Sequence, residues 1–436
     1  MWRRPAATRQ AGNTEGVEAE SQADPVADWA RSGVVALTGR PDGPPLVPPG
    51  RGATVANELA DRFAVLTGVR VDGARLLSER AAFTGHRRNG AVSVGGACRL
   101  LPTADGWVAV SCARPDDPAL LGALISEDIG DDPWPAVTRW AAKHSGAELA
   151  ERAALLGVAA VPVGGFAALG LPAPPQSHTV RSVAGLLVVD FSARWAGPLC
   201  AHLLGLAGAR VVKVETPWRP DGARRGNAAF YDLLHAGARS VAFDPLTSAG
   251  RGAMAALVNA ADIVIESSRP RALARFGLDA DAAVAAGTTW VSITAYGRAV
   301  DRVGFGDDIA AAAGLVAADA DGRPLFVGDA IADPLTGLTA ALLAAEAAEA
   351  PEAPEGGALL DIAMAAVVAA TAGGDRFGDH SVRSLPARRG GEGWVVDTAS
   401  GQVPVARPRR RAAETPGNAA DLGEHTAEIS AELGLR

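Results

Sequence analysis

Cysteine is scarce in this chain of 436 residues. Its three cysteines, Cys98, Cys112 and Cys200, form no pair at metal-ligand spacing. A sparse, odd number of cysteines is typical of a reducing compartment rather than of a disulfide scaffold. No apolar run is long enough to cross a bilayer, and the N-terminal segment lacks the apolar stretch of a signal peptide. We therefore expect a cytoplasmic protein without a metal site and without a membrane partner.

Basic charge and the common nucleotide-binding motifs are also missing. The net charge is -8 and lysine is nearly absent, which argues against a nucleic-acid partner because no broad basic field can neutralise phosphates. A local arginine cluster could still bind a small acidic ligand. The chain has no GxxxxGK[ST] segment and no GxGxxG after its first strand of the 185–297 region, so the usual P-loop and dinucleotide sites are disfavoured.

Short aliphatic runs and helix-like stretches alternate between residues 185 and 297. Aliphatic runs without a polar face are typical of strands that are buried on both sides. Strands that alternate with helices predict a parallel sheet with helices on both faces. The fold class expected is therefore α/β, a Rossmann-like parallel sheet with a smaller α+β domain. The predicted strands are GLLVVDFS (185–192), RVVKVE (210–215), SVAFD (240–244), DIVIES (262–267) and WVSITAYG (290–297).

Composition divides the chain into four regions. Residues 1–25 are polar and predict a flexible tail, and residues 26–180 predict the smaller region. A hairpin is expected in that region at 98–112, where Asp105-Gly106 interrupts an apolar alternation. Residues 182–370 hold the Rossmann-like domain. From about residue 350 we expect the regular order to be lost, and we expect 371–436 to be a linker followed by a last amphipathic helix.

Asp333 stands in IADPLTG (331–337), directly before Pro334 and a run of small and apolar residues. Aspartate followed by proline is typical of a helix start, so Asp333 could be an N-cap. A helix N-terminus also keeps a carboxylate ionised, and an ionised aspartate can act as a covalent nucleophile. From the residues alone both interpretations stay open. Asp329 is interpreted as an exposed turn residue, and Asp307 and Asp308 as helix caps.

Several segments together resemble the class III CoA-transferase family, the carnitine/bile-acid inducible type that also contains α-methylacyl-CoA racemases. The opening βαβ unit VVDFSARWAGPLCAHLLGLAGARVVKVE is similar to the first unit of that family. HAGARSVAFD, ADIVIESSRPRALARFGLD and IADPLTG resemble family segments that follow in the same order. The resemblance covers about 150 residues in order.

The remaining family-like segments come in a different order. LTGRPDGPP (37–45) is similar to a loop that normally lies just before the catalytic aspartate. TADGWVAV (103–110) and RAALLGVAAVPV (152–163) resemble the start and the end of the family's small domain. The chain is therefore either a rearranged single unit or a trimmed copy fused to a second, incomplete copy. After LTGRPDGPP the family aspartate is missing, so only the second region offers a catalytic carboxylate.

The resemblance implies a CoA-transferase with Asp333 as nucleophile. Asp333 would attack an acyl-CoA to give a mixed anhydride, CoA would add to give an aspartyl thioester, and an acceptor acid would then take up the CoA. The partners implied are an acyl-CoA, a carboxylic acid and a second copy of the chain in an interlocked homodimer. Coenzyme A is a substrate, and no permanently bound cofactor is implied. Candidate CoA-site residues are the cations Lys213, Arg239 and Arg269, which suit phosphates, and Trp195 and Gly197 of the WAGP segment.

Two alternatives stay open. Racemases of the family carry a histidine that pairs with the aspartate, because proton exchange needs two positioned acid/base groups. This chain has Gly304, Phe305 and Gly306 at that place and no histidine between His235 and His380, so transfer is favoured over racemisation. The other alternative is a non-catalytic acyl-CoA-binding member or partner subunit. The HAGA segment supports it, since the family has a basic N-R-G-K there.

Overall fold

Four helices begin the part of the chain that the computed structural model describes, which comprises residues 24–130, 132–166, 182–268, 270–348, 357–372, 384–413 and 417–435. Asp24 caps the first helix through the amides of Val26 and Ala27. The second helix ends at a glycine with a positive φ, as helix ends often do. The helices are α1 (Pro25–Ser32), α2 (Gly52–Thr67), α3 (Gly73–Leu76) and α4 (Glu79–Thr84).

A small α+β unit follows, with its own apolar core. Its three strands form an antiparallel sheet in chain order, and the first two make the predicted hairpin around Asp105-Gly106. Three helices cover one face and pack through Leu121, Val137 and Leu149. The elements are β1 (Cys98–Pro102), β2 (Trp107–Ser111), α5 (Asp117–Ile125), α6 (Trp134–Ala141), α7 (Gly146–Leu156) and β3 (Ala160–Pro162).

The second region alternates strand and helix, as predicted. Its strands are short and apolar, and β4 and β7 below are buried along their whole length, which is expected inside a sheet covered on both faces. The elements are β4 (Leu187–Asp190), α8 (Ala196–Leu206), β5 (Arg210–Glu215), α9 (Ala228–His235), β6 (Arg239–Ala242), α10 (Ser248–Ala260), β7 (Ile263–Glu266), α11 (Pro270–Ala274), α12 (Ala280–Ala285) and β8 (Thr289–Thr294).

The chain continues through a buried helix and then returns to the sheet. Helix α14 below is apolar on nearly every side, as expected of a helix inside a core. It packs between α8 and α2, and one continuous apolar core therefore includes side chains of both regions. The elements are α13 (Gly306–Ala312), β9 (Ala317–Ala318), β10 (Pro324–Leu325), α14 (Ala332–Ala348), β11 (Leu359–Ala363) and α15 (Met364–Thr371).

The central sheet has six parallel strands in the order β11-β8-β7-β4-β5-β6. The α/β prediction is thereby confirmed. This is the doubly wound order, in which the winding direction reverses between β4 and β7. Ligands of such sheets bind in the crevice at the carboxyl ends of the strands, beside that reversal. The fold itself therefore indicates the loops after β4 and β7 as the place to look for a site.

The expected loss of order after residue 350 is wrong. Strand β11 joins the parallel sheet beside β8, and a further antiparallel sheet lies in the part expected to be a linker. Neither is visible locally, because β11 is a short strand whose partner lies far back in the chain. The last elements are β12 (Arg388–Arg389), β13 (Trp394–Thr398), β14 (Gly401–Pro404) and α16 (Thr426–Glu432), the last within the predicted terminal helix.

Candidate functional site

The loop after β4 closes tightly onto the start of α8. The amide of Ala193 donates to Ser267 Oγ at 3.1 Å, which joins this loop to the one after β7. Gly197 lies in the first turn of α8, and a Cβ there would be 2.1 Å from Ser192 Oγ. Only glycine permits this close approach. The geometry thus assigns Gly197 to placing the N-terminus of α8 at the carboxyl edge of the sheet.

Asp333 meets that N-terminus. It is half-buried in the first turn of α14, and its Oδ1 accepts a hydrogen bond from the Ala196 amide at 3.3 Å. This partner belongs to α8, so Asp333 does not act here as the N-cap of its own helix. Its Oδ2 faces Gly306, where a Cβ would lie only 2.1 Å away. The positive ends of two helices therefore meet at one carboxylate, which favours its ionised form.

The first region contributes an arginine to this place. Arg80 of α4 donates from Nε to Asp329 Oδ2 at 3.0 Å and from Nη2 to Oδ1, and its Cζ lies 4.9 Å from the centre of the Trp195 ring. His86 Nδ1 is 3.4 Å from the same carboxylate. Asp329 is fully buried, so its interpretation as an exposed turn residue is wrong. Because Arg80 and Asp329 are 249 residues apart in sequence, no local pattern could have paired them.

The carboxylates of the site differ in their pKa values. Burial raises the pKa of Asp333 to about 6, although Arg80 and the Ala196 amide oppose that rise. Burial also acts against ionised Asp329, but Arg80 and His86 outweigh it and lower the pKa of Asp329 to about 2. Burial raises the pKa of Asp307 to about 7. At neutral pH, Asp329 is therefore fully ionised. Asp333 is mostly ionised, because its pKa lies only a little below neutral pH.

Asp307 and Asp308 fix the loops around Asp333. Asp307 Oδ1 accepts from the Ala330 amide at 2.9 Å, and Ala330 has a φ of 47°, a strained value for alanine. Asp308 accepts from the Phe305 amide at 3.0 Å, which agrees with its interpretation as a helix cap. It also accepts from Ser111 Oγ at 2.6 Å, so β2 of the small unit is tied to α13.

Trp195 lies directly before α8 and is buried. One face of its ring is covered by Arg80, and Phe230 packs edge-on at a centroid distance of 5.4 Å. Its Nε1 is buried without a hydrogen-bond partner among the described residues. Trp195 therefore directly precedes Ala196, whose amide binds the Asp333 carboxylate.

Lys213 is in the interior and not at the surface of the site. Its Nζ lies 2.5 Å from the Ser192 carbonyl, 3.3 Å from Asp221 Oδ2 and 3.4 Å from Asp190 Oδ2. Only 2% of its side chain is exposed. From this position Lys213 holds the loop after β4, and its buried ammonium is not placed to meet a phosphate of CoA.

Arg239, the second basic candidate, is not part of the group around Asp333. Arg239 lies on the edge strand β6, where its Nη1 is 2.7 Å from Glu432 Oε1 and 3.3 Å from Glu428 Oε1 of α16. This contact joins the terminal helix to the sheet. Arg269 lies outside the described residues.

A pocket of about 480 Å³ lies beside the carboxyl end of β7. It is lined in part by Trp290, Glu266 and Arg298. Glu266 accepts from Trp290 Nε1 at 2.9 Å and from Arg298 Nη1 at 2.8 Å.

Within the residues described above, no cluster of three His, Cys, Asp or Glu side chains is arranged to hold a metal ion. Nor does that part of the chain contain a helix both long and apolar enough for a membrane span.

A known protein family matches the second region of the chain. The model of "CoA-transferase family III" matches residues 183–400, which is half of the chain. The chain belongs to CoA-transferase family III. The resemblance inferred from the sequence is thereby confirmed, and the match includes the switch point of the sheet and the segment around Asp333.

Named relatives are similar over somewhat more than a third of the chain. Succinate–glutarate CoA-transferase of Agrobacterium fabrum is 30% identical over 177 residues, which are 36% of this chain and 44% of that protein. Succinyl-CoA–D-citramalate CoA-transferase of Chloroflexus aurantiacus is 30% identical over 176 residues, 37% of this chain and 44% of that protein. The chain thus spans less than half the length of these curated relatives.

Solved structures of the family are similar over about half of this chain. Rv3272 from Mycobacterium tuberculosis is 26% identical, with a TM-score of 0.45 over 51% of this chain and 65% of that one. A carnitine/bile-acid inducible family protein from Brucella suis is 21% identical, with a TM-score of 0.47 over 58% of this chain and all of that one.

Proposed function

We propose that the chain transfers CoA from an acyl-CoA thioester to a carboxylic acid, with Asp333 as the nucleophile. The observation that carries the proposal is the position of the Asp333 carboxylate. It lies at the switch point of a family III sheet, between the first turns of α8 and α14, and is ionised at neutral pH. A reactive carboxylate needs that state, and covalent catalysis by aspartate is an established route.

The proposed reaction balances without redox change or net proton transfer. An Asp333 oxygen attacks the thioester carbon, the C–S bond breaks, and CoA leaves as thiolate. The thiolate attacks the aspartyl carbon of the anhydride and expels the first acid as a carboxylate. The acceptor carboxylate then attacks the aspartyl thioester, and the released thiolate attacks the acceptor carbon, which frees Asp333. The Ala196 amide, 3.3 Å from Oδ1, would stabilise oxyanions formed on the aspartyl group.

The test is the mass of the intact protein after mixing with succinyl-CoA and hydroxylamine. The names of the relatives, succinate–glutarate and succinyl-CoA–D-citramalate transferases, suggest succinyl-CoA as the donor and glutarate as the acceptor. A hydroxamate on Asp333 supports the proposal. CoA binding without any adduct, over a panel of acyl-CoAs, would instead support a non-catalytic acyl-CoA-binding member.

The pH dependence follows from the raised pKa of Asp333. Attack needs the carboxylate, and with a pKa of about 6 it is protonated at lower pH. We expect the rate of hydroxamate formation, at hydroxylamine concentrations high enough that trapping does not limit it at any pH, to be constant above pH 7 and to fall tenfold per pH unit well below 6. Circular dichroism over the same range controls for unfolding. A half-maximal rate near pH 4, the usual range of aspartate, would contradict this environment for Asp333.

Gly306 offers a test of the close packing around Asp333. In Gly306→Ala the new methyl group would lie 2.1 Å from Asp333 Oδ2 and 2.6 Å from the Ala330 carbonyl, so the carboxylate must move. A shift of about 1 Å at a reacting group can lower a rate about 10²-fold, and we expect a loss of this size in hydroxamate formation. The matched control is Gly252→Ala in α10, where a Cβ has no neighbour within 4 Å. Equal rates of hydroxamate formation by Gly306→Ala and Gly252→Ala would show that the close packing of Gly306 on Asp333 does not matter for the reaction.

We propose that solvent-exposed arginines at the carboxyl edge of the sheet bind the phosphates of CoA. Arg219 lies in the turn after β5 beside the half-exposed Trp218, and Arg194 lies on the loop that carries the start of α8. The amide of Arg194 is bonded to Asp221 at 3.1 Å, so the two loops form one unit. This unit is continuous with the Asp333 site through Trp195 and Ala196.

Arg210 and Arg219 flank the same strand and provide a matched pair. Both are exposed, but Arg210 begins β5 and Arg219 follows its carboxyl end. We expect Arg219→Ala to weaken CoA binding about tenfold, since hydrogen bonds to charged groups contribute about 1.5–3 kcal/mol, and Arg210→Ala to leave it unchanged. Isothermal calorimetry with CoA measures both. Equal CoA affinities of the two variants would argue against Arg219 as a phosphate ligand, and the pocket beside Trp290 would be the next place to test.

Racemisation is the second candidate, and one observation favours it. Asp307 is half-buried, has a pKa of about 7 and is influenced by the charge of Asp333. A group with such a pKa suits general acid/base catalysis at neutral pH. Deuterium uptake at the α-carbon of 2-methylacyl-CoA, without an acceptor acid and lost in Asp307→Asn, would establish this activity. If the wild-type protein shows no deuterium uptake, racemisation is excluded.

A further inference from the structure

Arg80 has donors left after it has bound Asp329. A guanidinium carries five N–H groups, and the two hydrogen bonds to Asp329 use Nε and Nη2. Nη1 has no hydrogen-bond partner in the described part of the chain, and 27% of the side chain is exposed. Trp195 covers one face of the guanidinium. Arg80 is thus held rigidly by one carboxylate while one edge can still bind another.

The charge around Arg80 depends on the state of Asp333. Asp329, Asp307 and Asp333 all act on Arg80 electrostatically. Asp307, with a pKa of about 7, is only partly ionised at neutral pH, so in the free enzyme one cation faces at least two anions. A carboxylic acid that arrives as an anion is repelled by this excess. Once Asp333 is acylated, as anhydride or thioester, its charge is gone and the negative charge that surrounds Arg80 falls by one. The unused edge of Arg80 can then bind a further carboxylate.

We propose that Arg80 binds the carboxylate of the substrate acid, and that it does so only after Asp333 has been acylated. The inference rests on the proposed function and adds the residue that recognises the acid. The same contact holds the first acid as it leaves and the acceptor as it enters, because both are carboxylates next to the aspartyl carbon. Because Arg80 belongs to α4, the first region of the chain thereby contributes a binding residue to the site.

Binding of glutarate tests the dependence on charge without a catalytic readout. Asp333→Asn removes the charge and keeps the shape, and so imitates the acylated state. We expect this variant to bind glutarate about tenfold or more tightly than wild type, as the loss of a repelling charge close by predicts. Adding Arg80→Gln and Asp329→Asn together should abolish the gain. Equal affinity of wild type and Asp333→Asn for glutarate would overturn the proposal.

Kinetics separate recognition of the acid from positioning of Asp333. Arg80→Gln alone leaves Asp329 buried and unpaired, so the folded comparison is Arg80→Gln/Asp329→Asn, in which both charges are removed. We expect its KM for glutarate to rise at least tenfold, a larger change than any fall in its rate of Asp333 hydroxamate formation with succinyl-CoA. The exposed neighbour Arg87→Gln is the control.

The outcomes distinguish this inference from the proposed function. An unchanged KM for glutarate in the double variant overturns the role of Arg80, and so does a loss of hydroxamate formation, which would make the pair a device for positioning Asp333. If wild type itself forms no adduct with any acyl-CoA, the proposed function has failed first.

Discussion

Replacement of Asp333 with asparagine is expected to lower the rate of CoA transfer by about 10⁴-fold or more, the scale seen when a covalent nucleophile is removed. The amide cannot attack the thioester carbon, so neither the anhydride nor the aspartyl thioester can form. Its Oδ1 can still accept the hydrogen bond from Ala196, now 3.3 Å long, and the fold should be retained. Transfer from succinyl-CoA to glutarate and hydroxamate formation are the two measurements.

Asp321→Asn is a suitable control for that result. Asp321 is exposed in the turn before β10, and we expect its replacement to leave both rates unchanged. Transfer by Asp333→Asn at more than a hundredth of the wild-type rate would show that Asp333 is not the nucleophile. Substantial transfer with no adduct in wild type would lead to the same conclusion.

The sequence predicted the elements whose signal is local. The strands from 185 to 297 are apolar and short, and their alternation with helices is sufficient for a parallel sheet. Asp333 was found because its segment resembles the family's, although its position relative to α8 depends on the close approach at Gly197 and Gly306. The homodimer and the cytoplasmic location stay predictions.

The features that could not be predicted from the sequence depend on contacts between residues far apart in the chain. Arg80 and Asp329 are 249 residues apart, and without the pair an aspartate between a glycine and an alanine looks like a turn residue. Strand β11 pairs with β8 across α13 and α14, so nothing adjacent to it indicates a sheet. The first region also packs into the same core as the second, which no ordering of motifs could establish.

Lys213 shows how a residue with a family-like position can have an interior role. It lies on β5, which is covered on both faces, and its register neighbour on β4 is Asp190. The ammonium contacts Asp190 and Asp221, and Asp221 in turn binds the Arg194 amide. Burial acts against the cation, but the two carboxylates outweigh it and raise the pKa of Lys213 above its usual range. The charge thus supports the loop that leads to α8.

Lys213→Met is therefore expected to lower the free energy of unfolding by about 3–5 kcal/mol, the usual cost of removing one partner from a buried ion pair. Methionine fits the space, but Asp190 and Asp221 are left buried without their cation. Urea unfolding followed by circular dichroism measures the change. The matched control is Lys143→Met, because Lys143 is exposed and surface substitutions usually change stability by less than about 0.5 kcal/mol.

Affinity for CoA decides between the interior role of Lys213 and the phosphate contact expected from the sequence. If Lys213 holds only the interior, folded Lys213→Met below its unfolding transition should bind CoA as wild type does, while Arg219→Ala should not. A variant of unchanged stability with weaker CoA binding would reverse the assignment and return Lys213 to the phosphates. The two measurements thus separate a cation that supports the switch-point loop from one that binds the ligand there.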